Sequence, residues 1–147
     1  MKTLLLSLIL TIFSICAIAQ TWAPIGAKWT YGVGYAFSSQ IDFVEWASTN
    51  DTLVGGHLCK LIKRNGPVVG FGDIADRLIT YEDNNKVFLF NTVVNQFTTL
   101  YDFNKNEGET WSLKIDSCDI LITVDSTDNI SINGFPLKVL YLSLIHI

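Results

Sequence analysis

The sequence predicts an all-β domain: an antiparallel meander, sandwich or curved open sheet of about eight to ten strands. Three observations carry this expectation. Apolar residues alternate with small or polar ones along much of the chain, turn residues recur roughly every 8 to 15 positions, and no long stretch after Ala19 keeps a helical period. The composition agrees with a folded domain. Hydrophobic residues make up 49% and charged residues 16% of 147 positions, too apolar and too weakly charged for a disordered chain. Ten Lys and Arg against 14 Asp and Glu give a net charge of -4, which leaves no basic stripe to neutralise phosphates and argues against nucleic acid as a partner.

Taken in order, Trp29, Tyr31, Val33, Tyr35 and Phe37 form an aromatic face with Thr30, Gly32, Gly34, Ala36 and Ser38 between them, the pattern of a strand with one buried side. Thr52 to Val54 and Leu58 to Ile62 flank Gly55-Gly56, a hairpin signal because both central residues must accept positive φ. Asp83-Asn84-Asn85 joins Leu78 to Glu82 with Lys86 to Phe90. Phe97, Thr99, Tyr101 and Phe103 alternate again, and Asn104 to Gly108 leads to Trp111, Leu113 and Ile115. Ile120, Ile122 and Val124 make a further strand, and Asn133-Gly134 turns between Ile130 to Ile132 and Pro136 to Tyr141.

The two ends read differently. Lys2, the apolar run Leu4 to Ile15 and Ala17-Ile18-Ala19 have the form of a cleavable export signal over residues 1–19, too short in its apolar part for the ~20 residues of a spanning helix. Cleavage after Ala19 leaves Gln20 first, with no membrane span expected in the remainder. At the other end, Leu142-Ser143-Leu144-Ile145-His146-Ile147 resembles a translated sequencing adapter, matching CTG TCT CTT ATA CAC ATC codon for codon. This makes residues 142–147 an adapter artefact and 20–141 an incomplete β-rich domain. A genuine apolar final strand over Leu137 to Ile145 is the alternative.

Several segments occur together in a familiar order: Trp29-Thr30-Tyr31; Asp51-Thr52 with Gly56 and Cys59-Lys60-Leu61; Leu100-Tyr101-Asp102-Phe103 with Gly108-Glu109-Thr110-Trp111; and Val124-Asp125-Ser126 before Asn133-Gly134. The stretch from Trp22 to Tyr141 resembles the N-terminal region of secreted Bacteroidota proteins of the type IX secretion kind, which carry a type A sorting domain. The resemblance implies export, then delivery to the cell surface or medium, with the secretion machinery engaged through a C-terminal sorting domain that this sequence lacks. It brings no catalytic residues. The function expected is a non-catalytic exported module with a binding or structural role; alternatives are the accessory domain of a secreted hydrolase or a carbohydrate-binding module.

Candidate chemistry is sparse. With the leader removed, Cys59 and Cys118 are an even pair in an exported chain, which suggests a disulfide stabilising the fold by roughly 4 kcal/mol; two packed free thiols are the alternative. Asp116, Asp119, Asp125 and Asp128, with Asn129, cluster in sequence but do not match a calcium-loop spacing, and read as turn and surface acids. His57 beside Gly55-Gly56 reads as a turn histidine, and Glu107 and Glu109 as solvated charge. No nucleophile elbow, zinc-helix motif or phosphate loop occurs, so no catalytic, cofactor or metal residues are assigned. Most aromatics belong to core faces. Trp22 and Trp46, flanked by turn-like or polar residues, are the candidates for ligand-facing rings, with an extracellular glycan or protein as ligand.

Overall fold

A computed structural model describes residues 22–34, 41–66, 76–115, 118–132 and 134–146; the leader, Tyr35, Phe37, Asp116 and Asn133 lie outside them. Among the described residues the chain is all-β and antiparallel, as its alternation requires, and no helix is long and apolar enough to cross a membrane. β1 (Lys28–Gly34), β2 (Ile41–Val54), β3 (His57–Asn65), β4 (Arg77–Asp83), β5 (Lys86–Asn91) and β6 (Gln96–Asp102) follow one another across a six-stranded sheet curled into a half-barrel. β7 (Thr110–Ile115), β8 (Cys118–Ile132) and β9 (Phe135–His146) form a second, three-stranded sheet.

The hairpins sit where the turn residues put them. Gly55 and Gly56 take φ of 56° and 84° between β2 and β3, and Asn84 and Asn85 take 51° and 59° between β4 and β5. A two-residue turn with both φ positive matches the right-handed twist of its strands, and Gly and Asn tolerate that region best. Asn104 to Gly108 instead carries the chain from one sheet to the other. Asp102 anchors this crossing: it is buried, accepts the Asn104 amide at 3.1 Å and meets the Lys86 ammonium at 3.0 Å. Burial alone would raise its carboxyl, but the bonds from Lys86 and the Asn104 amide outweigh that and hold it below the usual range.

Two long strands bend at irregularities. β2 shifts register between Ser48 and Asn50; Ile41 to Val44 pair with β1 alone, Glu45 to Ala47 with both β1 and β3, and Asn50 to Val54 with β3 alone. β8 runs unbroken through the acids that separate its two apolar segments, with a shift between Val124 and Ser126. Ile120 to Thr123 is flanked by β7 and β9, whereas Ser126 to Ile132 pairs only with β9. β7 and β9 are the edge strands of this sheet.

The dry core lies between the sheets. Trp111, Leu113, Ile122 and Val124 pack on Leu89, with Leu78, Leu100, Ile120 and Leu140 around them. The Trp111 indole Nε1 is buried with no hydrogen-bond partner, a cost of about 1–3 kcal/mol that the ring's burial outweighs.

The structure corrects three expectations. Tyr31 is not core: on edge strand β1, opposite Val44, it stands 54% exposed. Phe97 and Tyr101 do not share a face, because the register of β5 against β6 slips between Val87 and Phe88. Phe97 lies opposite Phe90 and Tyr101 opposite buried Val87. Cys59 and Cys118 are free thiols, not a disulfide. Cys59 is fully buried on β3 of the large sheet and Cys118 is exposed at the start of β8 in the small one. A disulfide holds its two Cβ atoms about 4 Å apart, so its ends share one environment, and these do not.

Candidate aromatic cavity

The inner face of the half-barrel is not filled by the second sheet along its whole length. A cavity of about 660 Å³ remains, and its walls come from both sheets. Its aromatic wall is assembled by three segments. On β1 and β2, Trp29 and Trp46 are directly paired across the ladder and therefore share a face. On β6, the register slip turns Tyr101 inward. The third segment precedes β1: Ser48, buried at the β2 irregularity, donates its hydroxyl to the Ala23 carbonyl at 2.8 Å, and its carbonyl and amide bond Gly26 and Ala27. Ala23 accepts a left-handed φ of 47° there, a conformation that costs roughly 1–2 kcal/mol for a residue with a Cβ.

That turn delivers Trp22. Its indole Nε1 donates to the Thr80 hydroxyl at 3.0 Å and its backbone amide to the Glu82 carboxylate at 2.9 Å. Its ring lies 6.0 Å from Trp29 at 28° and 5.8 Å from Tyr101 at 59°. The Tyr101 phenol is pushed up by burial and then by the neighbouring Tyr31, which keeps it protonated, a neutral donor on the wall. Ile62, Leu78, Leu89, Leu100 and, from the second sheet, Ile115 and Leu140 complete an apolar lining.

The ladder between β4 and β5 stops at Thr80 opposite Leu89. Beyond it the strands part, and Arg77 to Ile79 of one and Phe90 to Thr92 of the other line the cavity across the gap. Asn91, at that gap, donates to the Lys114 carbonyl at 3.2 Å, which places Lys114 beside it.

Of the residues singled out in sequence, Trp22 and Trp46 both line this cavity, half-buried rather than on an open surface. The remaining candidates are not brought together. His57 stacks on Tyr81 at 4.2 Å on the other face of the sheet. Glu109 closes its own turn by accepting the Asn106 amide at 2.8 Å, and the Lys105 ammonium lies 3.2 Å away. Asp119 meets Lys114, Asp125 accepts from Ser143, and Asp128 accepts the Asn129 amide, all along one strand. Among the described residues, no group of three His, Cys, Asp or Glu is placed to hold a metal. Thr80, Tyr101, Arg77 and Lys114 carried no local signal; only long-range register collects them. No protein-family profile, curated protein or solved structure matches this chain.

Proposed function

We propose that the chain is an exported, non-catalytic module of a type IX secretion cargo protein, and that it acts by binding a small ligand in the aromatic cavity. The observation that carries the binding role is the cavity itself. Its volume of about 660 Å³ falls within the roughly 300–1,000 Å³ of ligand pockets, and it is apolar with few polar groups, as such pockets are. The leader-like Met1 to Ala19 supports export, and the order of the Trp29, Cys59, Tyr101, Trp111 and Val124 segments supports the cargo kind. The Trp22–Trp29 pair supports a second reading, a carbohydrate-binding module or hydrolase accessory domain, since ring faces stack on sugars. We also propose that residues 142–147 derive from an adapter. Leu144 and Ile145 point to opposite sides of β9 and are 62% and 58% exposed, whereas Leu142 packs on the core and the segment pairs with β8, which supports the alternative of a genuine final strand.

Tryptophan fluorescence tests the binding role: amphiphiles or oligosaccharides added to the folded protein shift the emission, and Trp46→Ala weakens the response. Silence toward both ligand classes overturns it. Expression with the leader in a bacterial host tests the export: mature protein starting at Gln20 appears outside the cytoplasm, and retention of residues 1–19 overturns it; a sorting domain encoded past Tyr141 in the source DNA supports the cargo kind. Sequencing the source DNA past Tyr141 decides the tail.

A further inference from the structure

The chemistry of the cavity discriminates between ligand classes, an inference that rests on the binding role proposed above. A sugar would need polar partners for its many hydroxyls, and two of the wall's few polar side chains, Thr80 and Asn91, are already engaged by the protein. Thr80 Oγ1 receives the Trp22 indole, and the Asn91 side chain bonds the Lys114 carbonyl and the amides of Val93 and Val94. Each hydroxyl buried without a partner costs about 1–3 kcal/mol. What the wall offers instead is ring and aliphatic surface.

The charge around the gap is one-sided. Arg77 and Lys114 line the cavity, and no Asp or Glu does so among the described residues. Lys63 stands opposite Arg77 across the β3–β4 ladder, adding like charge. Two carboxylates lie close by. Asp76 is held 2.9 Å from Arg64, and Asp119 is 3.5 Å from Lys114 with both ends about half exposed, a geometry worth little in water. Two cations and no acid among the described residues therefore line this opening in a chain whose net charge is -4.

We propose that the cavity takes a small amphiphile with an apolar body and an anionic head. The body lies against Trp22, Trp29, Trp46 and Tyr101, and the head emerges between β4 and β5 beside Arg77 and Lys114.

Displacement of the neutral fluorescent probe N-phenylnaphthylamine tests this. The probe binds one per chain; laurate displaces it at least tenfold more tightly than dodecylammonium, which has the same tail with the opposite head, and cellohexaose does not displace it. Leu140→Trp, which fills the cavity from the second sheet, abolishes probe binding while circular dichroism and cooperative melting confirm the fold. Arg77→Gln with Lys114→Gln lowers laurate affinity about tenfold and leaves the neutral probe unaffected. Equal or better displacement by dodecylammonium overturns the head assignment. Cellohexaose binding that Leu140→Trp abolishes keeps the cavity as a binding site but overturns the amphiphile. Probe binding unchanged in Leu140→Trp, or absent together with sugar binding, overturns both the amphiphile and the binding role.

Discussion

The two faces of the half-barrel are both aromatic, yet one is closed and the other is hollow. On the outer face Tyr81 meets His57, Phe88 and Phe97, and Phe97 also meets His57 and Phe90, with centroids 4.2 to 5.4 Å apart in stacked, tilted and edge-on arrangements. On the inner face Trp22, Trp29 and Tyr101 are about 6 Å apart and leave a cavity between themselves and the second sheet. The outer rings satisfy one another over fully buried Cys59, while the inner rings keep surface with no protein partner. Ring content alone does not mark a ligand platform; the space left between the rings does.

This contrast can be broken most directly by truncating one ring on each side. Tyr81→Ala removes the ring at the centre of the closed cluster and is expected to cost about 2–4 kcal/mol in urea unfolding. Trp46→Ala widens a space that already exists, so its stability cost is expected to be lower, about 1–2 kcal/mol, and its main effect falls on ligand affinity. Equal losses from the two would mean that both faces are packed core.

A smaller effect isolates the crossing that sets the second sheet over the hollow face. The folded Asp102 carboxyl is held below its unfolded value of about 3.9, so its contribution is complete above that pH and is lost as pH falls toward the depressed folded value. Asp102→Asn is therefore expected to destabilise the protein at pH 7 by about 1.5–3 kcal/mol. The difference from wild type should shrink below about pH 4, measured as the denaturation midpoint against pH. A gap that is constant with pH would assign the role of Asp102 to packing.

The smallest effect concerns reactivity. Cys118 is expected to react with a thiol reagent within seconds in the native state, and Cys59, whose thiol is raised by burial, only as fast as the sheet opens. No free thiol in the denatured, unreduced protein would restore the disulfide expectation.

Much of this fold is legible in sequence because side-chain alternation and turn chemistry are local. The Trp29 strand, the Gly55-Gly56 and Asn84-Asn85 hairpins and the Trp111 strand all follow from neighbours. The departures share a non-local cause. Asn104 to Gly108 reads like another hairpin, and only packing sends β7 to a second sheet. A one-residue register slip against β5 separates Phe97 from Tyr101, which alternation alone places together. Cysteine parity pairs Cys59 with Cys118, but parity carries no information about which sheet each enters. At the candidate site, local polarity distinguished Trp22 and Trp46. The gap beside Arg77 and Lys114 comes from where one ladder ends, and the sequence holds no mark of that.

The unequal flanking of β8 has its own dynamic consequence. Past the bulge, Ser126 to Ile132 and the β9 residues opposite form a two-strand arm outside the three-stranded body. The Lys138 ammonium ties it back through the Phe103 and Lys105 carbonyls at 3.2 and 2.6 Å. Leu140, opposite Thr127, anchors the base of the arm in the core, but Asp128 to Ile132 are exposed, so the amides of this outer part are expected to trade deuterium early while those of Ile122 and Val124 wait for global unfolding. The chain thus carries a stiff trunk and a yielding limb within a single continuous strand.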